Sequence, residues 1–441
     1  MRVFGVFRNT VLTYSSRIAS LLMLLAVNVA VSRGLGPGGR GQYGVLLLIS
    51  TIVLLTGNLG TNISSLRSIQ EGRIPLAVVA SNAIVTVVVT SLAVGSLAVA
   101  TFSFFVSTLY RGLYFGWVAI AVAGAVFLSV SMTNSYLLLA ENRIVLVNII
   151  DLIQSASLLI GVLVALLSRL STLDTIMWIY LGSTVVTCVV STLLVLRHLA
   201  PDWRALQWSL SCSLLKYGAT VLPVNVFQLL NGRVALFLLN MWSTSAQLGY
   251  FAVAISMAEL LRHFSEAVRT VMFGELALSS LDQAVRLARS AARWMIWVAG
   301  CGGVTMILLA KPFVTIVFSS IYLPVVPLLS YIVVGSVCLA LASPLMSLLL
   351  MSGHGGSQTR ASAIAMGLNV VLSIVLIPRL GMTAAAFAYS VSFFALAVAV
   401  YVDFFRYFGR AQGWAWLLPN RGDLEKLRLV VRVVTGVIPP Q

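Results

Sequence analysis

Apolar residues come in long runs along this chain, and polar residues are confined to short breaks between them. The runs fall near residues 10–32, 43–63, 75–101, 114–139, 144–167, 175–196, 214–240, 247–270, 290–310, 324–351, 359–377 and 383–405. Each is about as long as the ~20 helical residues needed to cross a ~30 Å hydrocarbon core, where only self-satisfied backbone is tolerated. The pattern predicts an all-α polytopic membrane protein of about twelve transmembrane helices. The longest polar break in the first half, from Arg197 to Ser213, separates six spans from six. The expected organisation is an N-terminal six-helix bundle (1–197), a cytoplasmic linker (198–213), a C-terminal six-helix bundle (214–408) and a basic cytoplasmic tail (409–441).

Composition sharpens the class. Hydrophobic residues make up 60% of the 441 and charged residues 9%, far from the quarter usual in soluble chains. A net charge of +16 would suggest nucleic acid in a soluble protein. Here the basic residues lie in the breaks, which argues against a nucleic-acid partner and sets the topology. With both termini cytoplasmic, outer segments hold only Arg33, Arg40, Arg111, Arg169, Lys311 and Arg379, while Arg17 and Arg233 lie inside spans and the rest of the 28 Lys and Arg are cytoplasmic. The first run is too long for a cleaved leader and is read as a retained span. Cys188, Cys212, Cys301 and Cys338 avoid outer loops, so free thiols are expected.

The two halves carry a trace of duplication. Offset by 208 residues, Gly41-Gln42-Tyr43-Gly44 falls on Gly249-Tyr250-Phe251-Ala252, each opening the second span of its half. Six being even, duplicated halves share one membrane orientation and are related by an axis along the membrane normal.

Tyr14-Ser15-Ser16-Arg17-Ile18, Ser32-Arg33-Gly34-Leu35-Gly36-Pro37, Gly41-Gln42-Tyr43-Gly44 and Gly57-Asn58-Leu59-Gly60, with Leu350-Met351-Ser352-Gly353-His354, Asn369 and Ile377-Pro378-Arg379-Leu380-Gly381-Met382 later on, carry a resemblance. In order and spacing over most of the chain they resemble the bacterial polysaccharide flippases, the Wzx-type O-antigen and capsule transporters of the multidrug/oligosaccharidyl-lipid/polysaccharide (MOP) superfamily. The resemblance implies a V-shaped pair of six-helix bundles around a central cavity, working by alternating access in the bacterial inner membrane. It implies an undecaprenyl-pyrophosphate-linked oligosaccharide as cargo, a polysaccharide polymerase complex as candidate partner, and H+ or Na+ as candidate coupling ions. A drug or cation antiporter of the MATE type is the alternative.

Ionisable groups inside spans cost at least ~2.5 kcal/mol at the bilayer centre and should face protein or water. Arg17 shares a face with Tyr14 and, further out, Asn28, either lining a cavity or snorkelling to the headgroups. Span seven carries Asn225, Gln228, Asn231 and Arg233 around Pro223, whose missing N–H permits a bend that serves as a hinge or only as packing; the polar residues supply donors for a phosphorylated sugar or pair helices by amide bonds. Substrate binding is therefore assigned to Tyr14, Arg17, Asn28, Asn225, Gln228 and Arg233. In span eight Glu259, Arg262, Glu266 and Arg269 share one face as a charge ladder, and in span five Asp151 is placed to pair with Arg17. Glu259, Arg262 and Asp151 are the coupling or gating candidates. Asp282, Arg286, Arg289 and Arg293 share a face and read as an interfacial amphipathic helix on anionic lipid or, in preference, as a plain positive-inside anchor, and the basic tail is read in the same way.

Enzymatic chemistry finds no foothold. Outer loops are short with Asp174 as their one acid, the three histidines fall at span ends, and no Walker-type phosphate loop occurs. Neither a cofactor nor a metal site is expected.

Overall fold

The computed structural model describes residues 2–72, 74–105, 110–141, 143–278 and 280–408, without the side chains of 2–14, 17, 221, 224 and 264–278. The predicted tail from residue 409 lies outside the described residues. The helices are α1 (Arg2–Asn58), α2 (Thr61–Gln70), α3 (Leu76–Ala100), α4 (Phe102–Phe105), α5 (Phe115–Ala140), α6 (Ile144–Leu167) and α7 (Leu173–Leu199), then α8 (Trp208–Trp242), α9 (Ser245–Leu278), α10 (Leu281–Phe313), α11 (Val325–Met351), α12 (Gly355–Leu380) and α13 (Met382–Phe408). Among the described residues nine helices are long and apolar enough to cross a membrane, ten with the bent α8.

The first of these holds two predicted spans. Its helical ladder is interrupted at Gly36, whose φ of 65° favours glycine, followed by Pro37. The Arg40 side chain reaches back to Asn28, a bond impossible along a straight helix, where twelve residues cover ~18 Å. The chain thus folds into a hairpin at Gly36, and the predicted outer loop shrinks to a turn. At the far end of its second arm the left-handed residues Leu59 and Gly60 end the helix. Asn58 Oδ1 then accepts from the Asn62 amide at the start of α2.

Two bundles form. In one, α1 packs on α3, α5 and α6, and α7 on α5 and α6; in the other, α8 packs on α12, α11 on α9, α10 and α13, and α12 on α13. Polar pairs knit each bundle where water is absent: Asn58 donates to Thr133 Oγ1 at 3.0 Å, Asn134 to Thr192 Oγ1 at 3.0 Å, and Asn369 Nδ2 to Asn231 Oδ1 at 3.1 Å. The last bond gives Asn231 a helix-pairing role.

The bundles meet where α1 lies against α9 and α8. A Cβ on Gly41 would stand 2.2 Å from the Ser245 carbonyl oxygen, and one on Gly249 only 1.9 Å from that of Pro37. A Cβ on Gly44 would come 3.2 Å from that of Ala252. Gly41 and Gly249, and Gly44 and Ala252, are the duplicated positions, so equivalent residues of the two halves face each other. Such self-contact arises where a twofold-like axis runs between the two helices.

Two expectations need correction. The interfacial helix at 281–293 is no separate element: it is the first third of α10, continuous with the span, with Ala284, Ala288 and Ala292 buried. Arg289 lies over the Phe404 ring of α13, its carbon 5.5 Å from the centroid. The small-residue stripe lets α10 pack on protein along this length. Arg40, expected in an outer segment, is 3% exposed, because the hairpin turns it inward. Pro223 acts as anticipated: the Trp208–Thr220 and Asn225–Trp242 parts of α8 meet at 55°.

Adding a methyl group where backbones touch should force the halves apart. Gly41→Ala and Gly249→Ala are each expected to lower stability by about 1–3 kcal/mol. They should also raise maleimide labelling of a cysteine introduced at Ser32, which thermal unfolding and labelling rates in detergent would measure.

Candidate functional site

The hairpin decides what faces the seam. Asn28 on the outgoing arm and Arg40 on the returning arm converge with Arg233 of α8 and Ser256, Glu259 and His263 of α9 on a cavity of about 170 Å³. That is space for on the order of ten waters. Arg40 Nη2 donates to Asn28 Oδ1 at 2.7 Å and to Ser256 Oγ at 3.1 Å, while its buried Nε has no partner. Its guanidinium carbon also lies 5.7 Å from the Tyr43 ring centroid. Arg233 Nη2 bonds Glu259 Oε1, joining α8 to α9, with each side chain 24% exposed. The cavity therefore carries two guanidiniums and one carboxylate among its described lining, with an imidazole beside them.

Leu21, Leu24, Leu25, Leu47, Leu236 and Ile255 supply the rest of most of the wall. Leu24 lines the cavity and is also 39% exposed, so apolar wall and outer surface meet there. Charged groups held in such surroundings interact strongly, because little water screens them.

A second cavity of about 80 Å³ sits within the C-terminal bundle, lined by Gln228, Arg233, Glu259, Arg262, Ser343 and Tyr389 among apolar side chains. The Arg233–Glu259 pair belongs to both linings. Glu259 thus bonds across to another helix, whereas the sequence pattern pointed along its own; the side chains of Glu266 and Arg269 lie outside the described residues.

Backbone and side-chain contacts join the bundles on either side of the space. At the end bearing the Gly36 turn, Arg33 donates to the carbonyls of Val317 at 2.8 Å and Ile316 at 2.5 Å, in the π-helical turn Val314–Phe318 that ends α10. In the opposite sense Tyr322 Oη donates to the Ser32 carbonyl at 2.8 Å. Arg111 adds a bond to the Met241 carbonyl at 3.1 Å. At the other end a Cβ on Gly218 would lie 2.1 Å from the Leu59 carbonyl oxygen, and the Arg67 guanidinium lies 4.3 Å from the Tyr217 ring centroid. The segment 200–207 is strapped to α3: the Asp202 amide donates to Ala77 and the Gln207 amide to Asn82 Oδ1. Contacts thus join the bundles on both sides of the cavity.

The structure gathers Asn28, Arg233 and Glu259 at the first cavity, and Gln228 and Arg262 at the second. Asn225 is half-buried beside the α8 bend and lines neither; Asp151, on α6, is exposed and likewise outside both. The side chains of Tyr14 and Arg17, and with them the Arg17–Asp151 pairing, lie outside the described residues. Sequence reasoning missed Arg40, Ser256 and His263. For Arg40 the Gly36-Pro37 pair hinted at a reversal of the chain, but not at one tight enough to bring Arg40 back to Asn28.

No protein-family model and no curated protein matches this chain. Its architecture is nevertheless shared. The lipid II flippase MurJ in an inward closed conformation is similar with a TM-score of 0.73 and 12% identity, over 99% of this chain and 94% of that one. An inward-facing multidrug-resistance MATE family transporter of the MOP superfamily is similar with a TM-score of 0.68 and 17% identity, over 87% and 93%. An outward-facing structure of such a MATE transporter has a TM-score of 0.58 and 17% identity. This chain is accordingly a multi-pass membrane protein with the fold of MOP-superfamily transporters and flippases.

Proposed function

We propose that the protein is a flippase that carries a lipid-linked oligosaccharide, of the undecaprenyl-pyrophosphate class, from the inner to the outer leaflet of the bacterial cytoplasmic membrane for cell-surface polysaccharide synthesis. Both termini are then cytoplasmic, the linker end of the cavity opens inward, and the Gly36-turn end opens outward. The observation that carries the reading is the sign of the cavity between the bundles: Arg40 and Arg233 against one carboxylate, with Asn28 and Ser256 alongside. A pyrophosphate needs planar, permanently charged donors, and guanidinium supplies them. Amide and hydroxyl groups suit sugar hydroxyls. At about 170 Å³ the space admits a phosphate-sized head and little more, so the sugars require the bundles to separate further. The polyprenyl tail stays in the bilayer, beside the apolar wall that surfaces at Leu24.

Alternating access follows from the two sets of closing contacts, which break in turn. Outward movement of a doubly negative head is favoured by an inside-negative potential, at ~2.3 kcal/mol per charge per 100 mV. Glu259 is the coupling group in this scheme: phosphate competing for Arg233 frees its carboxylate for H+ or Na+. Arg262, and Asp151 as a partner of Arg17, remain gating candidates. The antiporter reading draws on the same Glu259, the acid a cationic drug would need; two arginines in the same lining weigh against it.

Two measurements test the scheme in proteoliposomes carrying a fluorescent undecaprenyl-pyrophosphate oligosaccharide. Losing a charge-assisted bond to phosphate is worth about 1.5–3 kcal/mol, so Arg40→Ala and Arg233→Ala should each slow leaflet exchange by about ten- to a hundred-fold. Unchanged exchange in both variants, or efflux of cationic dyes by a wild type inactive on the lipid, would refute the assignment. The second measurement replaces Cys188, Cys212, Cys301 and Cys338 by serine and adds Gly44→Cys with Ala252→Cys, whose Cβ atoms stand near disulfide range. Oxidation should stop exchange and reductant should restore it; exchange that persists in fully cross-linked protein would exclude separation of the bundles at this point.

A further inference from the structure

From the lining of the second cavity we infer that the C-terminal bundle holds a binding site for a small monovalent anion of halide size, separate from the site proposed for the lipid head group. The cavity lies between α8, α9, α11 and α13 and is lined by Arg233, Arg262, Gln228, Ser343 and Tyr389, the Tyr389 hydroxyl being bonded to Ser336. The Gln228 Nε2 group is buried and donates to nothing in the protein. A buried donor without an acceptor is costly, and an acceptor inside the cavity removes that cost. Glu259 is the carboxylate among the described lining residues, and one of its oxygens is already engaged by Arg233.

Size and wall chemistry select the class. About 80 Å³ leaves room for on the order of five waters, enough for a halide with part of its shell. The remaining wall is Leu229, Ile255, Leu339, Met346 and Phe393. Phosphate or sulfate, with two charges to offset, would find two guanidiniums already partly neutralised by Glu259. A weakly hydrated single charge surrenders less solvation and is held by the guanidiniums and the amide.

The site has a mechanical meaning because Arg233 stands on the wall of both cavities. An anion in the second cavity competes with Glu259 for this guanidinium from behind, while a ligand in the first competes from the front. Halide occupancy therefore biases where Arg233 points.

Thermal unfolding of the full-length protein in detergent, without any lipid-linked sugar, tests the inference independently of the flippase reading. In chloride or bromide, against gluconate at equal ionic strength, the midpoint should rise saturably by a few degrees, and sulfate and phosphate should fall well short. Gln228→Leu and Arg262→Gln should each weaken the half-saturating bromide concentration at least ten-fold, whereas Arg40→Ala, in the first cavity, should leave it within two-fold. Anomalous scattering from bromide-soaked crystals should place the ion between Gln228 and Arg262. Equal midpoints in chloride and gluconate would overturn the inference, as would an effect abolished by Arg40→Ala but retained in Gln228→Leu, which would put the anion in the first cavity. Should Arg262→Gln fail to fold, Gln228→Leu and the bromide position decide.

Discussion

Backbone touching backbone at the seam is the constraint on which the rest of this molecule turns. Gly41 and Gly249 admit the carbonyls of Ser245 and Pro37 at distances no side chain would tolerate, and Gly44 meets Ala252 just beyond. In a bilayer, helices gain little by hiding apolar surface from lipid, so close approach of small residues supplies much of the attraction. That approach brings the hairpin of α1 hard against α9, and the groups carried by the two arms, Asn28 and Arg40, are thereby delivered to Ser256 and Glu259. Charge follows from contact.

Electrostatics within the seam follow a consistent economy. Three of the ionised cavity groups are bonded to neighbours: Arg40 to Asn28 and Ser256, and Arg233 to Glu259. Amides that might have served transport, Asn231 and Asn369, instead bond each other between α8 and α12. The polar residues of α8 therefore divide by helical position: Asn231 is turned to a neighbouring helix, Gln228 to the inner cavity, and Arg233 to the boundary between cavities.

How much of this was readable beforehand depended on the kind of signal. Span number and helical class were plain, because the membrane imposes length and polarity on every crossing segment. The Pro223 bend was also visible as local chemistry. Arg40 was hidden because hydropathy treats a Gly- and Arg-rich stretch as loop, and no local pattern says that Gly36 and Pro37 make so tight a return. The partner of Glu259 was equally illegible: spacing along α9 offered Arg262, but Arg233 is distant in sequence and reaches it through packing alone. Windows of apolar residues also separated Arg286 and Arg289 from the span they belong to, since α10 hides its continuity in a stripe of alanines.

That continuity has a dynamic corollary. As an unbroken rod of 33 residues, ~50 Å long, α10 carries its basic end and the π-turn grasped by Arg33 as one rigid body. Tilting such a lever by about 5° about one end sweeps the other through ~4 Å, more than the length of a hydrogen bond. Whatever grips the arginines on one side of the membrane is thus mechanically geared to the clasp on the other.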